Sequence, residues 1–266
     1  VAPEHGLEEA VAAFLLETRG VRYAREEIAL GQGVWPLVHD LGRALGARLG
    51  RAPRFWVAAP CYGVLPPTLV AAGAEVELGP LEDLYRRGEA PDAVVISQPA
   101  NPEGLYLSRE ALAELAAWVQ ARGCLLVSDE IFGLVNLGQP GAETVRSPVT
   151  LDQAVPGIAA RTVLLGGLSK EFAAGGLRVG WLATHDVDLA RRVREQRLGQ
   201  VQLVLARAGS HVYAAFARDA TGQLVHPRRH RALRAHLVAM RRELAEKRAL
   251  VAAALPEVPP AEEAAP

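Results

Sequence analysis

From Leu7 to Thr18 apolar residues recur at helical spacing, and the pattern stops before Gly20, which predicts a surface-packed helix. Glu26 to Leu30 reads as a short strand, and the turn Gly31-Gln32-Gly33 leads into a second helix from about Trp35 to Leu49. Strands follow at Arg54 to Ala59 and Glu75 to Leu78, with a helix between them from Pro66 to Ala72. Ala-Val-Val-Ile-Ser (93 to 97) is a buried strand, and so are Cys124 to Val127, Thr162 to Leu165 and Val179 to Ala183. Ser108 is a good N-cap for a helix reaching Arg122, with Ala111, Leu112, Leu115 and Val119 on one face. Buried strands alternating with amphipathic helices predict an α/β fold, a three-layer αβα domain with a mostly parallel sheet. Ligands of such sheets sit off the carboxyl ends of the strands.

Beyond Leu189 the pattern turns helical: Leu189 to Gln202, Val204 to Ala217, and a long stretch from His230 to Leu255. Arg218 to Pro227, with Thr221-Gly222, is a loop between two of these, and the tail from Pro256 to Pro266 is too proline-rich and acidic to pack alone. No internal repeat occurs. At this length we expect one large domain over 1–230 and, in 231–266, part of another.

Half of the 266 residues are hydrophobic, enough for a full core, and the formal net charge of −1 gives no overall electrostatic reason to bind nucleic acid or an anionic membrane. The basic cluster Arg228, Arg229, His230, Arg231 and Arg234 is local and reads mainly as a solvated helix face. Cys61 and Cys124 lie in apolar stretches as free thiols, which fits a reducing, cytoplasmic compartment. No apolar run reaches a membrane span, and the N-terminus has no signal-peptide pattern. A start at Val1, without methionine, is expected of a processed, trimmed or partly observed chain.

The run 166–180 carries the most chemistry: Lys170 among small residues, with Arg178 eight positions on and glycines between. Such a lysine suits an amine that condenses with an aldehyde cofactor beside a guanidinium that grips an anion, and the implied cofactor is pyridoxal 5'-phosphate. Taken alone, Ser-Lys before a glycine-rich stretch also describes a solvated surface lysine. Asp129 follows a buried strand directly; its carboxylate either pairs with a protonated pyridine nitrogen or caps a helix. Asn101, in the turn Gln98-Pro99-Ala100-Asn101-Pro102-Glu103-Gly104, is a turn residue or a donor to a phenolate oxygen. Tyr62 is a core tyrosine or a ring that stacks on a planar group. Gly33, Val34 and Trp35 mark a helix start where backbone N–H groups are available to a phosphate. His39 and His185 read as structural, and no His/Cys spacing suggests a metal site.

In this order, Gly33, Tyr62, Asn101-Pro-x-Gly, Asp129-x-x-Phe132, Ser169-Lys170 and Gly-Leu-Arg178-x-Gly, the motifs resemble the class I/II aminotransferases, the fold-type-I enzymes that use pyridoxal phosphate. The resemblance runs from about residue 7 to residue 255. It implies Lys170 as the Schiff-base lysine and proton shuttle, Asp129 on the pyridine nitrogen, Asn101 on the phenolic oxygen, and Tyr62 stacked on the ring. Arg178 would bind the phosphate, with Ser169 and the 33–35 turn completing its cup. A homodimer acting on an amino acid and a keto acid follows from the same resemblance. Three features depart from the family: Phe132 stands where a tyrosine is usual, and Gly167 where a serine often lies. The chain is also short, with no arginine to assign to the substrate carboxylate; residues are missing from it or it is a remnant. Two alternatives stay open: another reaction of the same cofactor on an amino acid (elimination, cyclisation, decarboxylation or oxidation), or a degenerate non-catalytic domain of a larger protein.

Overall fold

The computed structural model describes residues 6–135, 146–196 and 212–254. Its centre is a seven-stranded sheet in the order β1-β7-β6-β5-β4-β2-β3. The strands are β1 (Ile28–Gly31), β2 (Arg54–Ala58), β3 (Glu75–Gly79), β4 (Ala93–Ser97), β5 (Leu125–Asp129), β6 (Thr162–Gly167) and β7 (Gly180–Thr184). Neighbours from β3 to β6 pair in parallel, whereas β7 runs antiparallel to both β6 and β1. The carboxyl ends of β1, β2, β4, β5 and β6 therefore open on one edge.

Side chains alternate across each strand, so every central strand feeds two apolar layers. Val57, Val95, Val127, Val163 and Leu182 pack against helices α2 (Val34–Leu49), α3 (Leu65–Ala71) and α8 (Val187–Glu195). Val94, Ile96 and Leu126 face α5 (Arg109–Arg122) on the other side, together with Ile158 of the short α6 (Ile158–Arg161). There Leu164, Trp181 and Ile28 pack under α1 (Leu7–Arg19) in an aromatic cluster of Phe14, Phe172, Tyr213 and Phe216. The result is the three-layer αβα architecture that the alternation of strands and helices predicts.

Most elements fall within two residues of their predicted spans, and Ser108 caps α5 by accepting a hydrogen bond from the Ala111 N–H at 3.0 Å. A short helix, α4 (Leu81–Tyr85), was not predicted, because five residues carry too little periodicity. The helix expected over 189–202 spans Val187–Glu195, and its remainder, like most of that expected over 204–217, falls outside the described residues; Ala214–Phe216 is a 3-10 turn. The final helix, α9 (Pro227–Ala254), begins three residues early, and of its side chains only Leu237 is fully buried. The expected boundary after residue 230 thus falls in its first turn. Arg228, Arg229 and Arg231 are exposed as predicted, but His230 turns inward: its Nε2 lies 2.7 Å from Glu17 Oε1. Cys124 is buried and Cys61 half-buried, both as free thiols. Among the described residues no helix is long and apolar enough to cross a membrane.

Candidate active site

At the open edge each strand hands a different side chain to the same space. Asp129 ends β5 in register with Ser97 at the end of β4. Past β4 the chain turns through Asn101, and past β2 it reaches Tyr62. β6 ends at Gly167 and passes straight into the one-turn helix α7 (Leu168–Glu171), which carries Ser169 and Lys170. β1 ends at Gly31, and Gly33 is the N-cap of α2. Gly180 lies beside both Gly31 and Gly167. A Cβ on Gly180 would lie 2.5 Å from the Gly33 carbonyl carbon, so glycine there lets the start of α2 rest directly on the sheet.

The resulting cavity has a volume of about 380 Å³, within the range of small-molecule sites. All nine residues singled out from the sequence line it: Gly33, Val34, Trp35, Tyr62, Asn101, Asp129, Ser169, Lys170 and Arg178. Phe132, Ser97 and Gly175 line it as well. His39 and His185 do not; His185 stacks on Tyr23 and pairs with Glu27 at 2.9 Å.

Two ionisable side chains, Asp129 and Lys170, line this space. Asp129 is 8% exposed, and burial pushes its carboxyl up to about 6, although the Ile131 N–H donates to Oδ1 at 3.2 Å. No cation among the described residues pairs with it. Lys170 is exposed to the cavity, with Nζ 5.6 Å from the centre of the Phe132 ring. It is one of only two lysines in the chain, the other being Lys247. Every other fixed cation is an arginine, so a primary amine here is not a generic basic position.

At the other end of the cavity Arg178 holds a left-handed backbone (φ 50, ψ 44), unusual for a residue with a Cβ. Its guanidinium reaches back over the β1–α2 turn, donating to the Gln32 carbonyl at 3.0 Å. Gly33 is required beneath it: φ there is 91°, and a Cβ would lie 2.9 Å from Arg178 Nη2. No side chain caps α2, so its first-turn N–H groups are available to an anion beside the guanidinium. Trp35 and Tyr62 stand at the mouth, 47% and 40% exposed, with ring centroids 6.1 Å apart. An amine, an unpaired carboxylate and an anion cradle, arranged around a slot with exposed rings, fit an aldehyde that carries a basic ring nitrogen and a phosphate.

Directly behind the cavity lies a cluster that the sequence did not reveal. Arg19, at the end of α1, sends its Nε to Glu130 Oε2 at 3.1 Å and its Nη2 to Glu171 Oε1 at 2.9 Å, all three side chains having no exposed surface. Nη1 donates to Thr18 Oγ1 at 2.8 Å, and the guanidinium lies near the rings of Phe14 and Trp181. Ser128 Oγ donates to Glu130 at 3.1 Å. Burial raises both carboxyls, Glu171 to about 7, while Arg19 opposes the rise. An arginine in the last turn of an amphipathic helix ordinarily reads as solvated. The available signal was an acid immediately after each of the two site residues.

Fold and cavity together define the class: fold type I, with an amine and a carboxylate at the carboxyl edge of a mostly parallel sheet. Residues 4–262 match the family of aminotransferases class I and II, and the chain belongs to that family. Pyridoxal 5'-phosphate is the family's cofactor. The chain is 33% identical over 218 residues to the 4-dedimethylamino-4-oxo-anhydrotetracycline transaminase OxyQ of Streptomyces rimosus, covering 80% of this chain and 57% of that one. It is 27% identical over 194 residues to an aspartate aminotransferase of Streptomyces avermitilis, covering 68% of this chain and 45% of the relative. The crystal structure of an aromatic aminotransferase from Pyrococcus horikoshii superposes with a TM-score of 0.72 at 25% identity, over 94% of this chain and 64% of that one. The chain thus spans about half the length of these curated relatives.

Proposed function

We propose that the protein is a pyridoxal-phosphate-dependent aminotransferase that moves an amino group between an amino acid and a keto acid. The observation that carries this is that Lys170 and a buried Asp129, which has no cation among the described residues, line one cavity. The family membership and the names of the relatives, all transaminases or aminotransferases, favour this over other reactions of the cofactor and over a domain without chemistry.

In this reading Arg178, Ser169 and the start of α2 hold the phosphate. Asp129 would accept from the ring N–H and favour its protonated form, Asn101 would donate to the ring oxygen, and Tyr62 would cover the ring. Lys170 Nζ is the amine that would hold the cofactor through its aldehyde. As a free amine, Lys170 would be the base that takes the proton from the substrate's Cα and the acid that gives it back. The bound cofactor supplies an electron-poor ring that accepts the electron pair left at Cα. Phe132 presents a ring face and no hydroxyl, so Asn101 has no phenolic neighbour at that position.

The test uses the two-lysine composition. Pyridoxal phosphate added to the purified chain should give a visible absorption band that borohydride abolishes, with the reduced label on Lys170 and not on Lys247. Lys170→Ala should lose the band and all turnover with an amino acid and a keto acid; turnover retained in that variant refutes the reading. We also propose a cytoplasmic homodimer, to be checked by light scattering, closed twofold pairs being the commonest assemblies. Residues 1–230 would form the cofactor-binding unit, with a second, smaller unit beginning in α9.

A further inference from the structure

We propose that Arg19 is a positioning residue: by bridging Glu130 and Glu171 it fixes the residues just before them, Asp129 and Lys170, relative to each other in the cavity that both line. The inference rests on the reading of those two residues as cofactor-holding groups.

The ladder between β5 and β6 ends at the pair Asp129 and Leu165. Past that point β5 ends, β6 stays paired only with β7 as far as Gly167, and α7, which carries Lys170, is only four residues long. Arg19 comes from a third element and ties the two segments side chain to side chain, one nitrogen to each carboxylate. Successive residues at a strand end point to opposite faces, so holding Glu130 in the core aims Asp129 into the cavity. In α7 the same division holds, with Glu171 fully buried and Lys170 exposed to the cavity. The third guanidinium nitrogen is occupied by Thr18, and the plane is flanked by Phe14 and Trp181, so the fork has one orientation. A lysine in its place would keep the charge and lose the two-armed geometry. A buried group of this kind adds little net stability, because desolvating three charges offsets their attraction. With two carboxylates to one guanidinium it also holds one acid more than the charge requires, and direction is what the arrangement does provide.

The deciding measurement is the labelling of the cofactor-free full chain by trinitrobenzenesulfonate, read by peptide mass as Lys170 relative to Lys247, whose solvated side chain serves as internal reference. Glu171→Leu leaves a one-to-one pair of Arg19 with Glu130, so it should melt no lower than the parent chain near pH 8. The Lys170 to Lys247 ratio should nevertheless change at least about threefold, and the dissociation constant for pyridoxal phosphate should rise about tenfold or more. Arg19→Lys should do the same. Folded variants whose ratio matches the parent's overturn the proposal, as does failure of both variants to fold, which would make the cluster purely structural. If the parent chain takes up no pyridoxal phosphate, the cofactor reading fails, and the labelling ratio still decides the role of Arg19.

Discussion

Asp129 and Glu130 are consecutive carboxylates at one strand end, and both are withdrawn from solvent, yet their surroundings are opposite. Glu130 has a guanidinium at 3.1 Å and the Ser128 hydroxyl at 3.1 Å. Asp129 has one backbone N–H and, among the described residues, no cation. The core thus satisfies one acid fully and leaves its neighbour incomplete, on the face where a cavity of ligand size opens. Lys170 and Glu171 divide in the same way by place, with the amine in the cavity and the acid in the core, bonded to Arg19 through Oε1. The difference separates groups that hold the fold from groups that await a partner: a buried charge is tolerated without a counter-ion where a ligand supplies one.

The largest effect should follow from breaking the satisfied side. Arg19→Met strands two carboxylates in the aromatic cluster, and the cofactor-free chain should lose about 3–5 kcal/mol in urea unfolding near neutral pH. A loss under about 1 kcal/mol would mean that water reaches these acids.

On the unsatisfied side the sign reverses. Asp129 titrates near 6 in the folded chain against 3.8 as a free side chain, so the folded state holds its proton longer than the unfolded state does. The protonated carboxyl therefore contributes stability that is fully present below about pH 4 and lost as pH rises through about 6. Glu171, near 7 by burial, adds a loss in the same direction across a slightly higher window. Asp129→Asn should consequently stabilise the cofactor-free chain by roughly 1–3 kcal/mol at pH 8 and by little at pH 4, while weakening retention of pyridoxal phosphate. Thermal melts at the two pH values check this; an equal gain at both would show that Asp129 does not titrate as its burial implies.

The two sides were not equally legible in the sequence. The sheet was readable because runs such as Ala93 to Ser97 are apolar throughout, as strands covered on both faces must be. The cavity residues were readable because each follows such a run or a glycine turn, where an α/β sheet keeps its ligands. That β7 and β1 lie antiparallel at the edge was not readable, since strand direction depends on connections that local pattern does not encode. Arg19 was missed for a related reason: periodicity identifies the face of a helix, but nothing local says that its last arginine turns inward to meet acids 111 and 152 positions away. The scarcity of lysine was in plain view, and it would have raised the weight of Lys170 before any motif was recognised.

The smallest effect concerns a pair that distance alone would rank above Arg19 and Glu171. Lys247 Nζ lies 2.6 Å from Glu243 Oε1 on α9, closer than Arg19 lies to Glu171, but both partners are 65% exposed. Water screens this pair and replaces either partner when the other is removed, and holding two long side chains together opposes the attraction. Glu243→Ala should leave the urea midpoint unchanged within error and the Lys247 labelling rate close to the parent's. A clear destabilisation would mean that α9 packs against more of the protein than its exposed face indicates. An unchanged midpoint, set beside the loss in Arg19→Met, would establish that burial rather than contact distance decides which ion pairs this fold depends on.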